Sequence, residues 1–510
     1  MEKFALSNPL TLFLNKSREE FDRESLIKVI EQKQIERITF HYTGLDGKIK
    51  ELKIPIANRS QAERVLADGE RVDGSSLFKG MIDVAVSDLY VVPIYKTAFI
   101  NPFDDRSLNF VCRYINHKGE YAPYALDNIL LNATKLFEKN TGYELYALGE
   151  LEFFLLSEAD GVLFPATKQR GYHSSAPFLK TGAILDEMVR YLTQITGTIK
   201  YAHSEVGSVE KVRSDIEELR NKRAEQLEIE FLPAPAADAA DNLVLARWLI
   251  RNVAYKNKCV ATFTPKLEEG IAGNGMHIHM ELRKNGKNIM TSGGKLSVDA
   301  RKLIGGLCQY ADTLTAFGNS VSSAYLRLVP NQEAPTRICW SDMNRSAMIR
   351  VPLGWADIDN LASRINPQQK DLLKYSDNRQ TVELRSPDGS ANVHLLLAGI
   401  VMAAEWGLAH EESLKLAEQY YVTGNIFRDK EILSKLPVLP GSCVESAKIL
   451  NSKRELYERE DVFPKGVIDY VEKKLTAEDD ADMNSFLSDL PADERLLETR
   501  KIMHKDIHNH

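Results

Sequence analysis

The stretch Gly149-Glu150-Leu151-Glu152-Phe153-Phe154 decides how this 510-residue chain is interpreted. Its acidic residues stand two apart, with a large apolar residue between them and two after them. Because side chains alternate across a strand, this pattern predicts a strand that points Glu150 and Glu152 to one face, about 7 Å apart. Taken alone, such a segment is typical of the wet outer face of an amphipathic sheet.

Three more segments place polar groups two apart inside apolar, strand-like sequence. Solvent-facing strands usually mix Lys, Thr, Ser and Glu, whereas these segments offer almost only carboxylate and imidazole. If their faces converge in a partly dry cavity, the uncompensated negative charge is costly, and cations must offset it. Oxygen donors with some imidazole suit Mg²⁺ or Mn²⁺ rather than zinc. The segments are His203-Ser204-Glu205-Val206, Gln226-Leu227-Glu228-Ile229-Glu230-Phe231 and Gly275-Met276-His277-Ile278-His279.

Arginines and one more carboxylate follow further along the chain. Arg327, Arg345 and Arg350 lie in short, partly apolar segments, and Arg385 follows Glu383 by two residues. Each arginine alone is typical of a surface cation or a structural ion pair. As a set they fit phosphoryl transfer, in which metal ions and arginines neutralise charge on phosphate oxygens.

The length of the chain predicts two or more domains. Residues 22–34 have helical spacing of apolar residues, and residues 37–56 alternate around Asp46-Gly47, which predicts a hairpin with a tight type I′ turn. We expect a small α+β domain followed by a larger one that mixes helices and strands. The predicted boundaries are 1–21 for an N-terminal extension, 22–119 for the small domain, 120–480 for the larger domain and 481–510 for a C-terminal tail.

Apolar periodicity predicts further helices near 126–137, 243–256 and 398–420. In the C-terminal tail, His504, His508 and His510 are predicted to be solvated rather than metal-binding. The five cysteines are widely spaced and form no CxxC pair, so we expect reduced core thiols.

Composition excludes several classes of function. The formal net charge is −7, and Lys and Arg are scattered rather than clustered, so no nucleic-acid partner is expected. No stretch approaches the about 20 apolar residues that a membrane span needs, and the N-terminus has no apolar run behind its charges. We expect a cytoplasmic protein with no membrane partner.

Four motifs in their order along the chain give a family resemblance. They are Asp73-Gly74-Ser75-Ser76, Glu150-Leu151-Glu152, Asn274-Gly275-Met276-His277-Ile278-His279 and Asn331-Gln332-Glu333-Ala334-Pro335. With these motifs, residues from about 36 to about 475 resemble glutamine synthetases of the bacterial class I type. The resemblance implies an α+β fold: a small β-grasp domain and a larger α/β catalytic domain of the glutamine synthetase/guanido kinase type.

The resemblance also implies roles for individual residues. Glu152, Glu205 and Glu228 would hold one metal ion, and Glu150, His277 and Glu383 would hold another. Glutamate would be bound by Arg327, Arg385, Gly273 and Ser76. The transferred phosphoryl group and ATP would be bound by Arg345, Arg350 and His279, with Arg345 also catalytic.

Two carboxylates are implied on the amine side. Asp73 would reach the site from a neighbouring subunit, where it binds ammonium and helps to deprotonate it. Glu333 would take part in that proton removal and close the site against water.

The reaction implied is ATP-dependent ligation of ammonia to the γ-carboxylate of glutamate through a γ-glutamyl phosphate. Its co-substrate would be ATP, and two or more Mg²⁺ or Mn²⁺ ions would serve each site. The assembly implied is a homo-oligomer of two stacked hexameric rings, a dodecamer with active sites between subunits.

Several positions depart from the family pattern. A charged, helix-like insert around 209–223 stands between Glu205 and Glu228, where it could cover the cavity. On the nucleotide and glutamate sides, the departures are Lys200, Ala272, Glu281 and Thr381. Two alternatives therefore stay open: a family member that joins glutamate to a larger amine, such as a polyamine or alkylamine, and a non-catalytic member with a structural role. Asp73 and Glu333 favour ammonia, and the six intact metal-ligand positions favour an enzyme.

Overall fold

The computed structural model of the chain describes residues 3–82, 87–159, 163–165, 167–329, 334–354, 360–373, 378–424 and 430–509. Two large sheets organise these residues. The smaller sheet lies wholly within the first 115 residues, and the larger one gathers strands from residues 144–384. This is the α+β architecture expected from the sequence.

The N-terminal domain is a sheet of six described strands in the order β2-β1-β6-β4-β3, with β5 paired to β6. Strands β1 and β6 run parallel, and the other described pairs are antiparallel. The strands are β1 (Arg37–Thr43), β2 (Ile49–Pro55), β3 (Glu70–Asp73), β4 (Asp88–Pro93), β5 (Phe99–Asn101) and β6 (Asp104–Ile115). The helices are α1 (Pro9–Leu14), α2 (Arg23–Gln32), α3 (Arg59–Asp68) and α4 (Gly74–Leu77).

The predicted hairpin is present, but its turn differs from the prediction. Strands β1 and β2 pair antiparallel as far as Thr43 and Ile49, which leaves a five-residue loop. The Gly47 amide donates to the Gly44 carbonyl, and Gly47 has a φ of 79° whereas Asp46 has no positive φ. A type I′ turn needs two positive φ values, so this longer loop with a single left-handed glycine replaces it.

The larger domain is built on a sheet in the order β16-β17-β18-β12-β7-β9-β8, with β10 and β11 paired to β7 and β13 paired to β12. Strands β14 and β15 form a separate pair. The strands are β7 (Glu144–Ser157), β8 (Ile199–Val209), β9 (Arg223–Phe231), β10 (Ala234–Pro235), β11 (Val260–Thr262), β12 (Met276–Lys284), β13 (Lys287–Asn288), β14 (Thr291–Ser292), β15 (Lys295–Leu296), β16 (Trp340–Asp342), β17 (Ile349–Val351) and β18 (Val382–Leu384).

The helices of the larger domain pack on this sheet or on one another. Their bounds are α5 (Leu126–Thr141), α6 (Gly182–Thr196), α7 (Ala236–Lys256), α8 (Val298–Gly318), α9 (Ala324–Arg327), α10 (Ala362–Ile365), α11 (Val393–Ala409), α12 (Glu412–Gln419), α13 (Lys430–Lys435), α14 (Cys443–Ser452), α15 (Glu455–Glu458), α16 (Lys465–Thr476), α17 (Met483–Asp489) and α18 (Ala492–His504). Helix α11 is buried almost all round and contacts α5, α7 and α8, so it forms the centre of the core.

The helix expected at 398–420 is in fact two helices, because α11 and α12 meet at a bend of 109°. Among the described residues, no single helix is long and apolar enough to cross a membrane, and only this bent pair passes such a test when its two helices are combined. All five cysteines are free thiols, and four of them are buried.

Two predictions about the later part of the chain are wrong. The insert at 209–223 is not helical: after β8 the chain turns through bends and short turns into β9. Its apolar residues Val212 and Leu219 are buried in a cluster with Phe154, Leu267 and other residues, so contacts with the rest of the domain replace helical pairing.

The C-terminal tail is also folded rather than a solvated segment. Helix α18 packs on the domain, and His504 is only 3% exposed. Its Nε2 lies 2.9 Å from the Leu267 carbonyl and its Nδ1 lies 3.0 Å from the Ser214 hydroxyl. His508 is more exposed and pairs with Glu218 at 3.0 Å, while His510 lies outside the described residues.

A buried charge network joins the two domains. Arg113 on β6 contacts Asp241 on α7 through two hydrogen bonds of 2.5 and 3.2 Å, and it lies 3.5 Å from Asp127 on α5. His394 on α11 completes the network at 3.1 Å from Asp241. Burial would raise the pKa of Asp241, but Arg113 and His394 outweigh it and hold that pKa at about 2.

Replacing Asp241 by Asn should destabilise the protein by about 3–5 kcal/mol, because the buried Arg113 would lose its hydrogen-bonded carboxylate and keep only Asp127 at 3.5 Å. Urea unfolding of both proteins measures this difference. The matched control is Asp238→Asn on the same helix, which breaks the half-exposed pair with Lys96 and should cost less than about 1 kcal/mol. An equal decrease in the free energy of unfolding of the two variants would show that the buried network stabilises the protein no more than the Lys96–Asp238 pair does.

The difference in stability between the wild type and Asp241→Asn should depend on pH. The pKa of an aspartate in an unfolded chain is about 3.9, whereas the pKa of Asp241 in the folded protein is about 2. The stabilising contribution of this carboxylate is therefore present above about pH 4 and is lost as the pH falls through about 2. The stability gap between wild type and Asp241→Asn should narrow over that interval.

Candidate active site

The register of the large sheet brings the predicted polar residues to one face. Glu150 lies opposite Glu230 and Glu152 lies opposite Glu228 across β7 and β9. On the other side of β7, His277 lies opposite Glu150. Beyond β12, His279 lies opposite Glu383 on β18, and Glu383 lies opposite Arg350 on β17. At the other edge of the sheet, His203 on β8 lies opposite Glu228. Alternation within each strand thus produces a continuous polar face across six strands.

One group of donors centres on Glu150. The carboxylate oxygens of Glu150 and Glu383 and the imidazole of His277 offer ligand atoms that all lie within 4.8 Å of one another. Glu150 Oε2 is 2.8 Å from His277 Nδ1, and Glu150 Oε1 is 2.9 Å from His279 Nε2. Thr381 fixes the other side of the His279 ring at 3.0 Å.

A second group of donors lies on β8 and β9. Glu205, Glu228 and His203 also bring one ligand atom each within 4.8 Å of the others. Glu152, which the resemblance places with Glu205 and Glu228, lines the same cavity, but its Oε2 accepts from the Gly275 amide at 2.7 Å. In this arrangement His203 stands where Glu152 was expected.

The two groups differ in their electrostatics. Burial would raise the pKa of Glu150, but His279 and His277 outweigh burial and hold it well below its usual range. In the second group, burial and the neighbouring carboxylates raise the pKa of Glu228 well above its usual range. Burial and Glu205 likewise raise the pKa of Glu152 to about 8. Negative charge on that side of the cavity is therefore poorly compensated by protein groups.

Arginines line the same cavity. Arg350 and Arg385 both contact Glu383, at 2.8 and 3.1 Å, and Arg385 also donates to the Arg345 carbonyl. Arg327 lies 3.5 Å from His277. Together with the carboxylates, these four arginines line a cavity of about 820 Å³.

Gly273 lines the same cavity and has a steric reason to be glycine. A Cβ at this position would overlap the Pro265 carbonyl and press on the Arg327 side chain at 3.2 Å. A backbone free of a side chain here lets a ligand approach closely.

Asp73, the predicted amine-side residue that the structure describes, does not lie at this chain's own cavity. Asp73 caps helix α4, where its carboxylate accepts from the amide and hydroxyl of Ser75 and from the hydroxyl of Ser76. These hydrogen bonds lower the pKa of the exposed Asp73 to about 2. Neither Asp73 nor Ser76 lines the 820 Å³ cavity of this chain. Glu333 lies outside the described residues.

Sequence reasoning missed several residues in the cavity or beside it. His203 was recognised as part of a strand pattern but was given no role, and Glu230 was likewise unassigned although it follows Glu228 by two residues. Lys200, one of the noted departures, pairs with Glu230 at 2.6 Å. Tyr172 and Tyr201 line the cavity beside His203. The period-two pattern identifies His203 and Glu230, whereas no local signal in the sequence identifies Tyr172.

The donor set fits divalent cations. Each group offers carboxylate oxygens with one imidazole at separations that a single ion could bridge, which is the donor chemistry of Mg²⁺ and Mn²⁺. The raised pKa values of Glu152 and Glu228 show that burial and neighbouring carboxylates outweigh the positive charge near them, which for Glu152 includes Arg327. A bound cation would supply that charge.

Comparison with known sequences decides the family. The glutamine synthetase catalytic domain matches residues 128–485, and the glutamine synthetase beta-grasp domain matches residues 34–117. The chain belongs to the glutamine synthetase family. It is therefore an ATP-dependent carboxylate–amine ligase, and this conclusion removes support from the non-catalytic alternative.

Relatives and solved structures agree with this assignment. The glutamine synthetase of Pyrococcus horikoshii is 31% identical over 403 residues, which cover 78% of this chain and 79% of that protein. The glutamine synthetase of Frankia alni is 28% identical over 494 residues, or 90% and 96% of the two chains. The cryo-EM structure of Plasmodium falciparum glutamine synthetase has a TM-score of 0.71 at 20% sequence identity. The match covers 93% of this chain and 98% of the chain in that structure.

A second solved structure, GmaS without ligand, shares the fold with a TM-score of 0.67 at 20% identity and covers 92% of this chain and 98% of its own. At this identity, both structures show only that the fold of this glutamine synthetase family member is the expected one. The β-grasp and catalytic domains predicted from the sequence are thus confirmed, while the exact domain boundaries stay predictions.

Removing a carboxylate of the first donor group should reduce the stabilisation of the protein by metal ions. With Mn²⁺ at about 100 times its dissociation constant, a protein that binds one ion gains about 2.7 kcal/mol of stability. In Glu150→Ala we expect Mn²⁺ binding at that group to weaken by about 100-fold, with a correspondingly smaller rise in Tm. Thermal unfolding with and without Mn²⁺ measures both proteins.

The matched control for this experiment is Glu144→Ala, which removes an exposed carboxylate from the same strand. Its Tm should respond to Mn²⁺ as the wild type does. A full Mn²⁺ response in Glu150→Ala would refute the assignment of this group to a metal ion.

Proposed function

We propose that this enzyme ligates ammonia to the γ-carboxylate of glutamate, with ATP hydrolysis and a γ-glutamyl phosphate intermediate. The observation that carries the proposal is the convergence of two carboxylate–imidazole groups and four arginines on one cavity. In this reaction the γ-carboxylate attacks the terminal phosphoryl group of ATP, and ADP leaves. The amine then attacks the acyl carbon and releases phosphate.

The proposed metal ligands are the six predicted residues, all of which line the cavity. Glu150, His277 and Glu383 would hold one ion. Glu205, Glu228 and Glu152 would hold another, with His203 as a further donor in place of, or beside, Glu152. Bound Mg²⁺ or Mn²⁺ would neutralise charge on the phosphate oxygens.

The arginines are proposed to act on the two anionic reactants. Arg327 and Arg385 would bind the carboxylates of glutamate, because their planar guanidinium groups suit two-point contact with carboxylate oxygens. Gly273 leaves room for the substrate in the same cavity. Arg345 and Arg350 would neutralise the phosphoryl group in transfer, and His279 would contact ATP while orienting Glu150.

The amine side is proposed to be completed by another subunit. Asp73 is exposed on the N-terminal domain and does not line this chain's own cavity. That position supports the implied arrangement, in which Asp73 and Ser76 reach a neighbour's site within a ring and the rings stack as a dodecamer. Glu333 would remove a proton from the bound ammonium in the same site. The cytoplasmic location stays a prediction.

The location of the insert supports ammonia rather than a larger amine. The insert at 209–223 was a reason to consider a narrowed or covered cavity, but none of its residues lines the 820 Å³ cavity. It packs instead against helix α18 and the segment around Leu267. The alternative of a larger amine rests on substitutions near the nucleotide and glutamate, such as Ala272, which also lines the cavity.

Steady-state phosphate release with a panel of amines tests the proposed substrate. With glutamate, ATP and Mg²⁺ or Mn²⁺, ammonium should give the largest kcat/KM, and methylamine, ethylamine and a diamine should give values lower by about tenfold or more. Turnover with one of the larger amines, together with no turnover with ammonium, would replace this proposal by the alternative.

Complementation between inactive variants tests the shared site. Asp73→Ala and Glu150→Ala should each lose most activity alone, because each lacks one half of every site. Oligomers reassembled from a mixture of the two should regain a fraction of wild-type phosphate release, since some interfaces combine an intact Asp73 with an intact Glu150. Mixing Glu150→Ala with Glu383→Ala is the control, because both changes affect the same side and no site is restored.

Recovery in the first mixture but not in the control would support a site between subunits. If both mixtures contain mixed oligomers, as verified by mass, and yet show only background activity, the result would contradict a site between subunits.

A further inference from the structure

Two surface grooves lie beside helix α18, away from the active site. One has a volume of about 440 Å³ and lies between this helix and the insert. The other, of about 540 Å³, shares the lining residues Arg213 and Arg500 with the first. Neither groove shares a lining residue with the 820 Å³ cavity. They therefore form a separate surface, here called the insert groove.

The smaller part of the insert groove is lined by more cations than carboxylates. Its lining contains five arginines and lysines but one carboxylate, that of Asp215, and the five cations are Arg213, Arg220, Arg500, Lys501 and Lys505. Such an excess of one sign within a concave surface concentrates the positive potential there.

Two of these cations have no carboxylate partner among the described residues. Arg220 donates to the backbone carbonyls of Ser214 and Asp215 at 3.1 and 3.0 Å, which orients its guanidinium without neutralising it. Arg213 is exposed and lines both grooves. By contrast, Lys501 and Lys505 are paired with Glu498 and Glu478 at 2.6 and 2.7 Å.

Arg500 connects the insert groove with the active site. It forms a two-point ion pair with Glu268 at 3.0–3.1 Å. Glu268 follows Lys266 by two residues, and the chain then leads to Gly273, so the pair holds one end of a segment whose two flanks line the 820 Å³ cavity.

We propose that the insert groove binds a small oxyanion with two or more negative charges, and that this ligand competes with Glu268 for Arg500. Guanidinium groups match the oxygen geometry of phosphate and carboxylate, which makes a phosphate-bearing metabolite or a dicarboxylate the chemical class that fits. Occupancy would release Glu268 from Arg500 and thereby loosen the segment that borders the glutamate side of the active site. This inference is independent of which amine the enzyme uses.

The test is isothermal titration of the full-length protein with inorganic phosphate and, separately, with malonate. ATP and divalent ions are absent, EDTA is present, and chloride keeps the ionic strength constant. Binding to the active-site arginines is common to the wild type and to variants changed only at exposed cations, so an affinity that changes with Arg213 and Arg220 measures binding in the groove. In Arg213→Ala/Arg220→Ala, that affinity should fall by about 100-fold, or about tenfold for each guanidinium.

Two further variants make the result specific. Lys295→Ala/Arg301→Ala removes two exposed cations outside both grooves and should bind as the wild type does. Glu268→Gln frees Arg500 from its competitor and should tighten binding by about tenfold.

Tighter binding of phosphate than of malonate would indicate a phosphate-bearing ligand, and the reverse order a dicarboxylate. Either order supports the oxyanion site. The site is refuted if wild type binds neither probe, or if the Arg213→Ala/Arg220→Ala protein binds like the Lys295→Ala/Arg301→Ala control. Unchanged binding in Glu268→Gln would refute the competition for Arg500.

Discussion

Repulsion between carboxylates gathered on one sheet face is the constraint on which the rest of this structure depends. Strands β7, β8, β9 and β18 each contribute at least one glutamate to a shared, largely buried cavity. On the β12 and β17 side, imidazoles and arginines compensate the charge of Glu150 and Glu383. On the β8 and β9 side, Glu152 and Glu228 lack equivalent partners, and their raised pKa values record the cost. A bound cation would therefore stabilise the charged form of this site.

Holding such groups together requires a rigid support. Strand β7 pairs with β9 and with β12 along eight residues each, and helices lie behind them, with the largely buried α11 at the centre of the helical core. The Arg113–Asp241 contact then fixes the N-terminal domain against this layer through helix α7. This fixed relation matters because Asp73 belongs to the N-terminal domain while every proposed metal ligand belongs to the larger one. A neighbour's Asp73 could reach a site reproducibly only if the two domains keep one geometry.

Much of this architecture could be predicted from the sequence, because period-two alternation and motif order are local signals. The strands that carry Glu150, Glu228 and His277 follow from them directly, whereas the pairing of these strands does not. Features set by distant partners could not be predicted in this way. Val212 and Leu219 of the insert have helix-like spacing, yet they are buried against Phe154 and residues near Leu267. The same contacts explain why His504, some 240 residues from Leu267, is buried rather than solvated.

An irregularity in strand β8 explains how the chain can hold an insert between Glu205 and Glu228. Its pairing with β9 is interrupted between Ser204 and Ser208, so Glu205 lies in an irregular stretch that is not held by regular cross-strand pairing. Such bulges re-aim a side chain and let a strand change length without disturbing its neighbours. The irregular stretch therefore separates two requirements: Glu205 must face the cavity, and the insert must pack on α18. Glu205 and the insert belong to the same strand or directly follow it, so a change in the packing of the insert would shift the backbone at Glu205. Glu150 and Glu152 would keep their positions, because β7 is held by continuous pairing with both β9 and β12.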